Sequence, residues 1–499
     1  MAFANRDFTG ILDFTRDELI YILDKAALMK QALQKKDVQT YRLAAGRDML
    51  AALLFYENST RTRTSFEVAS QRLGLNVTGF AGVEGTSVKK GESLRHTLDM
   101  YEAYQCDCVI MRHPLDGSAR FAAEHLGIPI FNAGDGKHEH PTQTLLDLFT
   151  IREHLGRLTD FDLGISGDLK YGRTAHSLAV ALMAFEGVRL HLFSHPSLAM
   201  PQALLDMLTE NGVEIIVHEN LAEAARQTDV LYQTRIQKER MPDLSEYDKA
   251  KAITEFNGNI MALTRQRFGL MHPLPVDKAA PSITAELDKH PKALYKIQAG
   301  NGVPTRLTEL ALALGLMGDD FTGEAFRESQ CHEDFLQVLP VREKPIRTDV
   351  SIKPIRNNGV VVDHMAPYTE EILTQVLKVR ERRDIYRAAT VKPASRPADE
   401  IKGMLMIEDR RLTEQEMKIV ASVSPGCTVN IIENGTVAAK YKLRLPEKVC
   451  DVPGMMCANK GCISRPEYEE SVSPRMLKVG DQRVRCYYCG HVMHISQML

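Results

Sequence analysis

The chain of 499 residues contains no tryptophan, an absence that excludes nothing by itself. Other absences exclude more. No apolar run approaches the roughly 18 residues that a membrane-spanning helix needs. The run from Met49 to Tyr56 reads as a short buried strand. Arg6, Asp7, Asp13, Arg16, Asp17 and Glu18 interrupt the first residues, so no apolar leader core is present. The expected compartment is the cytoplasm, with no membrane partner. Charge of one sign is also lacking: 62 Lys and Arg face 65 Asp and Glu, a net charge of −3. A chain built to coat nucleic acid would carry a basic excess, so no nucleic-acid partner is expected. No internal repeat at a solenoid period is visible. A charged fraction of 25% and a hydrophobic fraction of 44% are ordinary for a globular protein and exclude global disorder and collagen. The length suggests about three domains.

Cysteine is present but unevenly placed. Of nine, two lie at Cys106 and Cys108, one at Cys331, and six between Cys427 and Cys489. In a reducing compartment clustered cysteines read as metal ligands rather than disulfides. Thr15 and Glu18 form a candidate capping box before a helical pattern from Leu19 to Leu33. Apolar runs at 49–56, 107–111 and 128–131 then alternate with helical stretches at 62–73, 93–104 and 141–155. A second series follows: strands 161–166, 188–193, 213–217 and 229–232, with helices 174–185, 201–210 and 219–226. Such alternation predicts parallel sheets covered on both faces. The fold class is therefore α/β with two lobes, expected at 1–150 and 151–317. Residues 318–348 are polar and read as a linker. Strand-rich segments at 350–355, 360–363, 384–391, 402–408, 427–432 and 436–442, with helices 369–379 and 413–421, predict an α+β domain over 349–445. A small cysteine-containing domain is expected over 446–499.

Seven segments carry chemistry. Ser59-Thr60-Arg61-Thr62-Arg63 lies between a strand and a helix, where free backbone N–H groups and hydroxyls make an anion site. Thr86-Ser87-Val88-Lys89-Lys90-Gly91-Glu92 is a glycine-punctuated loop. Met111-Arg112-His113-Pro114 ends a strand. His140-Pro141-Thr142-Gln143 opens a helix, with Pro141 suited to its first turn. Gly167-Asp168-Leu169-Lys170-Tyr171-Gly172-Arg173-Thr174, Thr234-Arg235-Ile236-Gln237-Lys238-Glu239-Arg240 and His272-Pro273-Leu274-Pro275 complete the series. Each alone is a polar strand-end turn. Together they describe a cleft lined with cations, suited to small poly-anionic substrates.

In this order the seven segments resemble the aspartate carbamoyltransferase family, over about residues 1–317. The sister ornithine family shares Ser-Thr-Arg-Thr-Arg and His-Pro-Thr-Gln. It is expected to carry Cys-Leu-Pro where this chain has Pro273-Leu274-Pro275, and to lack the Lys-Lys-Gly-Glu loop. The resemblance implies transfer of a carbamoyl group from carbamoyl phosphate to L-aspartate, without a catalytic metal. It implies that Ser59, Thr60, Arg61, Thr62 and Arg112 hold the phosphate, and that Thr62, Arg112 and His140 polarise the carbonyl oxygen. Gln143 and the carbonyls of Leu274 and Pro275 would hold the carbamoyl NH2. Arg173, Arg235 and Gln237 would grip aspartate. Lys90 would reach a neighbouring subunit's site, implying a homotrimer or larger homo-oligomer. Thr86 stands where serine is commoner. Glu57, Lys170 and Arg240 would hold the closed arrangement. One departure is Val276-Asp277-Lys278, where the family usually has arginine after Pro275. The protonation of His140 is open at this level. A transcarbamoylase for another amine, or a zinc-containing scaffold with a dead site, are the alternatives.

Cys457-x4-Cys462 and Cys486-x2-Cys489 are two close pairs with 23 residues between them. Four thiolates so spaced predict a structural zinc site whose metal supplies folding energy. Cys427 and Cys450 read as incidental. Gly359-Val360-Val361-Val362-Asp363-His364, Cys427 to Asn434, Lys440 and Leu445-Pro446-Glu447 are similar to the regulatory chain of the same family, over about 349–499. That similarity implies a nucleotide effector such as CTP or ATP, touched by Asp363, His364, Asn430, Ile432, Val437 and Lys440. Two positions depart: Met406 stands where the family has a lysine before Ile407-Glu408, and Gly435 where a larger residue is common.

Overall fold

The computed structural model describes residues 2–236, 241, 244–277, 281–327, 335–341, 353–392 and 401–498. The chain divides into two compact units, Met1–Arg327 and Glu328–Leu499.

The first unit holds two parallel sheets. Strands β1 (Leu50–Phe55), β2 (Asn76–Ala81), β3 (Cys108–His113) and β4 (Ile130–Asp135) form one, in the order β2-β1-β3-β4. Strands β5 (Asp162–Ser166), β6 (Arg189–Phe193), β7 (Glu214–Val217), β8 (Val230–Gln233) and β9 (Gly269–Met271) form the other, in the order β7-β6-β5-β8-β9. All neighbours in both sheets run parallel. Central strands covered on both faces read as near-continuous apolar runs, which is why β1 is Leu-Ala-Ala-Leu-Leu-Phe. The expected capping box is present: Glu18 N–H donates to Thr15 Oγ1 and Thr15 N–H to Glu18 Oε2, starting helix Arg16–Lys35.

One long helix was not legible in the pattern. Tyr295–Ala313 is a helix despite Gly300, Gly302 and Pro304. It is buried along most of its length and packs on helices Arg16–Lys35, Thr60–Leu73 and Pro141–Leu155. A helix buried all round shows no apolar stripe, and its breakers mask it further. Together with helix Pro141–Leu155 it joins the two lobes. No helix among the described residues is long and apolar enough to cross a membrane.

The second unit is antiparallel. Strands β10 (Leu336–Leu339), β11 (Gly359–Met365), β12 (Tyr386–Val391), β13 (Lys402–Glu408), β14 (Thr428–Glu433) and β15 (Thr436–Leu443) form a six-stranded sheet, order β10-β15-β14-β11-β13-β12. Helices Thr369–Val376 and Glu414–Val423 accompany it. Two expectations differ here. The stretch read as linker contributes β10, paired with β15. The strand expected at 350–355 is absent from its described residues, 353–355. The C-terminal stretch, which shows little periodicity, forms β16 (Lys448–Cys450), β17 (Arg475–Gly480), β18 (Arg483–Cys486) and β19 (Val492–His494) in one antiparallel sheet.

Candidate active site, effector face and zinc site

Parallel strands all deliver their carboxyl ends to one edge of a sheet. Segments that follow β1, β3, β4, β5, β8 and β9 therefore emerge where a ligand can meet them. Arg112, near the end of β3, pairs in register with Phe55, the last residue of β1. Helix Thr60–Leu73 begins at once after β1, with Ser59 as its N-cap. The Ser59 hydroxyl does not cap its own helix but accepts from Arg112 Nη1 at 3.4 Å. The first-turn N–H groups thus stay available to an anion.

Arg112 Nε donates to Glu57 Oε2 at 3.3 Å, and Arg173 Nη2 reaches the same oxygen at 3.5 Å. Arg173 opens helix Arg173–Ala181 in the second lobe, so this carboxylate ties the lobes together. Arg173 Nη1 also donates to the carbonyl of Gly136 at 2.9 Å. Gly136 sits at φ 46, and a Cβ there would lie 1.8 Å from Asp116 Oδ1, so only glycine presents that carbonyl. Burial, then the like charge of Arg173, lowers the Arg112 pKa to about 9 against the opposing pull of Glu57. Burial and then Arg235 lower that of Arg61. Four guanidinium groups from both lobes, Arg61, Arg112, Arg173 and Arg235, are thus close enough to perturb one another. Arg235 is carried there by Thr234, whose hydroxyl donates to Ser166 O at 2.9 Å and accepts from Asp168 N–H at 2.8 Å.

His140 is the N-cap of helix Pro141–Leu155, with Pro141 in the first turn as expected. Its N–H donates to Ser177 Oγ at 3.0 Å. Burial, then Arg173, Arg306 and Arg112, hold its pKa well below the ordinary histidine value. These surroundings favour the neutral ring, the point that the sequence leaves open. The Thr142 hydroxyl lies 3.3 Å from Nδ1 of this ring.

Gln143 lies one turn into the same helix. Its Nε2 donates to Asp147 Oδ1 at 2.9 Å, and Gln298 Nε2 donates to that oxygen at 2.7 Å. Gln298 Oε1 in turn accepts from His272 N–H at 2.8 Å, and His272 Nδ1 from Leu274 N–H at 2.7 Å. Burial pushes Asp147 up to about 7 and His272 down to about 3. The chain of bonds links Gln143 to the Leu274-Pro275 segment, where Leu274 has φ 58 and the following peptide bond is cis. Gln298 and Arg306 escaped the sequence reading because they lie on helix Tyr295–Ala313, whose pattern shows no apolar stripe, and Asp147 because it sits inside a helix expected only for its apolar residues.

Lys90 is exposed at the end of the turn Ser87–Lys90, and among the described contacts none joins it to this cluster. Lys170 and Lys137 flank the ring of Tyr171, each at 5.3 Å. Gln237, Arg240, Lys278 and Cys331 lie outside the described residues.

In the second unit the register gathers the expected effector residues on three adjacent strands. Asn430 pairs with Val361 and with Lys440, Asp363 with Thr428, and Ile432 with Val437. His364 Nδ1 lies 3.2 Å from Asp363 Oδ2. Lys402, not foreseen, donates to Asp363 Oδ1 at 2.5 Å. Burial opposes ionisation of Asp363, but His364 and Lys402 outweigh it and hold the carboxyl well below the usual range. Its parity with Met404 and Met406 along the expected strand 402–408 was the available signal for Lys402. The turn between β14 and β15 has Asn434 at φ 47 and Gly435 at φ 75, the signature of a two-residue hairpin turn. That backbone need explains Gly435.

Cys457, Cys462, Cys486 and Cys489 are all buried, and their sulfurs lie within 4.8 Å of one another. The separations Cys457–Cys489 and Cys462–Cys486 are 3.6 and 3.7 Å. A zinc tetrahedron with Zn–S of about 2.3 Å has an edge of about 3.8 Å, so the donor set fits the metal. Ser464 Oγ lies 3.2 Å from Cys462 Sγ, and Arg465 Nη1 donates to Cys457 O at 2.8 Å. Cys427 and Cys450 stand apart from this set.

Four family models match the chain. They are the aspartate/ornithine carbamoyltransferase carbamoyl-P binding domain over 6–153 and the Asp/Orn binding domain over 159–312. The allosteric and metal binding domains of the aspartate carbamoyltransferase regulatory chain follow, over 350–444 and 447–499. The aspartate carbamoyltransferase catalytic subunit of Thermococcus kodakarensis is 46% identical over 319 residues, 64% of this chain and 100% of its own length. The chain belongs to the aspartate carbamoyltransferase family. It is a carbamoyltransferase that carries regions matching both catalytic and regulatory chains, with a structural zinc site in the latter. The catalytic subunit of Methanosarcina barkeri is 44% identical over 317 residues, 64% of this chain and 100% of its own. Among solved structures, the catalytic subunit of M. jannaschii aspartate transcarbamoylase is 39% identical with a TM-score of 0.56, covering 61% of this chain and 97% of its own. The enzyme from Trypanosoma cruzi in complex with N-(phosphonacetyl)-L-aspartic acid is 33% identical with a TM-score of 0.59, covering 63% and 97%.

Proposed function

We propose that the cluster in the first unit transfers the carbamoyl group of carbamoyl phosphate to the amine of L-aspartate. The products are N-carbamoyl-L-aspartate and phosphate, a step of de novo pyrimidine biosynthesis. The observation that carries this is the convergence of Arg61, Arg112, Arg173 and Arg235 from two lobes, with Arg112 and Arg173 sharing the one carboxylate of Glu57. Mutual repulsion among clustered cations is relieved by a polyanion, and two substrates with phosphate and carboxylate groups supply one. The Trypanosoma cruzi relative, 33% identical, has been solved with carbamoyl phosphate and aspartate bound.

In this reading Ser59, Thr60, Arg61, Thr62 and Arg112 take the phosphate at the helix N-terminus. The aspartate nitrogen attacks the carbamoyl carbon, charge develops on the carbonyl oxygen, and the bond to phosphate breaks. Thr62, Arg112 and the His140 ring donate to that oxygen. Gln143, tethered through Asp147, and the carbonyls of Leu274 and Pro275 hold the carbamoyl NH2. Arg173, Arg235 and Gln237 orient aspartate, so the gain comes from positioning as well as charge. Lys90 acts in a neighbouring subunit's site, which makes the catalytic assembly a homotrimer or a multiple of it. We divide the chain into lobes at 1–150 and 151–317, a nucleotide-effector domain at 349–445 and a zinc domain at 446–499. CTP and ATP are the effectors tested against Asp363, His364, Asn430, Ile432, Val437 and Lys440.

Steady-state kinetics with aspartate and, separately, ornithine test the reading, each with and without CTP and ATP. Turnover with aspartate well above that with ornithine is expected. Absence of aspartate turnover would overturn the assignment.

A further inference from the structure

The sequence shows a gap on the effector face: Met406 stands where a lysine is expected. The register shows what lies beside it. Lys440 pairs with Asn430, Asn430 with Val361, Val361 with Met406, and Met406 with Arg387. Directly paired residues of neighbouring antiparallel strands share a face, so these five form one row across the sheet.

The face is the one turned away from the helices. Thr390 Oγ1 donates to Glu370 Oε1 of helix Thr369–Val376 at 2.6 Å. Alternation along β12 then puts Tyr386, Ala388 and Thr390 on the helix side and Arg387 on the other. On that other side Ile355, Met406 and Ile432 pack together with Val361 and Met404 into an apolar platform. Lys440 and Asn430 border it on one flank, Arg387 and Glu408 on the opposite one, with Asp363, His364 and Lys402 on the strands between.

Arg387 is half-buried and anchored. Its Nη2 donates to Glu408 Oε1 at 2.6 Å. Its Nη1 is buried and, among the described residues, has no hydrogen-bond partner. A buried donor of a charged group left without an acceptor is costly, and a ligand oxygen would satisfy it. An apolar platform with cations on both flanks suits an amphiphilic anion: a base on the platform, acceptor oxygens towards the cations.

We propose that Arg387 supplies, from the neighbouring strand, the cation that Met406 does not, and contacts acceptor oxygens of a nucleoside triphosphate bound on this face. This rests on the nucleotide-effector reading of the face. The fork of a guanidinium is less mobile than a lysine ammonium, so the contact is directional as well as charged.

The test is equilibrium binding of CTP and of ATP to the full-length zinc-loaded chain, by titration calorimetry. Arg387→Met is expected to weaken binding of at least one nucleotide about tenfold or more, the loss of one charge-assisted bond. Lys440→Ala is expected to weaken it comparably and reports on the face as a whole. The double variant Arg387→Met with Met406→Lys moves the cation one strand inward and is expected to regain part of the loss. Binding by Arg387→Met within about twofold of the parent, while Lys440→Ala loses affinity, would overturn the arginine assignment and leave the effector reading standing. A loss in Arg387→Met that the double variant does not recover points to packing and overturns it too. A parent chain that binds neither nucleotide at millimolar concentration removes the effector reading itself, and this inference with it.

Discussion

In Met1–Arg327, Arg112 and Arg173 share one carboxylate, Glu57, at 3.3 and 3.5 Å. In Glu328–Leu499, Lys402 has Asp363 at 2.5 Å and Arg387 has Glu408 at 2.6 Å. The first arrangement is under-neutralised and completes its charge balance with a ligand. In the second, each of these two cations already has a carboxylate of its own. On the proposed function, that contrast would suit a site that grips two reactants and a site that only modulates. The units also differ in how they are held. The catalytic unit has an extended apolar core running through both lobes. The last stretch, 447–498, has short strands around four cysteines, and a metal can do there what a core does elsewhere.

Removing the metal should widen this contrast most. A strong chelator is expected to unfold 447–498, because structural zinc contributes on the order of 10 kcal/mol to folding such a segment. The catalytic unit is expected to keep its own thermal transition. Hydrogen exchange followed peptide by peptide checks this, and protection surviving in β17 and β18 without metal would count against it. Next in size is Arg112→Ala. Loss of one donor to the developing oxyanion corresponds to about 3–4 kcal/mol, a fall in kcat of two to three orders of magnitude. The melting temperature is expected to change little. Near-normal kcat would remove Arg112 from the reaction.

A smaller effect is expected from pH, again in the first unit. Burial alone would lower the His138 pKa, but Asp135, then Glu139 and Asp116, overcome it and raise it to about 9. His138 Nδ1 lies 3.0 Å from Asp135 Oδ2, in the loop that carries Gly136 and His140. A base whose folded pKa is raised stabilises fully below its unfolded value of about 6.5, and that stability is lost as pH rises through about 9. The contribution is up to about 3 kcal/mol. Urea unfolding of parent and His138→Gln across this range should show the parent's advantage at pH 6 shrinking towards pH 10. A difference that stays constant with pH would sink the assignment.

The candidate site segments could be picked out from residues alone because each lies at or after a strand end, and parallel topology sends strand ends to one edge. The strands β1, β3, β5 and β8 were legible because both faces are covered, so each contains a short apolar run. The cysteine spacing likewise carried the zinc site. What escaped was whatever a local pattern cannot encode. Helix Tyr295–Ala313 contains Gly300, Gly302 and Pro304 and still forms, because three helices bury it. Gln298 and Arg306 came with it and were missed. Strand β10, inside a polar stretch, exists because β15 offers it an edge. Arg387 gained meaning only from register, since which residues share a row depends on strands far apart in sequence.

The residues by themselves determined the α/β class, the carbamoyltransferase motifs and the four-thiolate set, because type and spacing suffice for strand ends, helix mouths and metal tetrahedra. Tertiary structure alone disfavours the charged form of His140, through burial and then Arg173, Arg306 and Arg112. It alone decided that Glu57 joins two lobes, and that Arg387 lies beside Met406. Each of these depends on which distant groups share a low-dielectric space, and that is a property of packing rather than of sequence order.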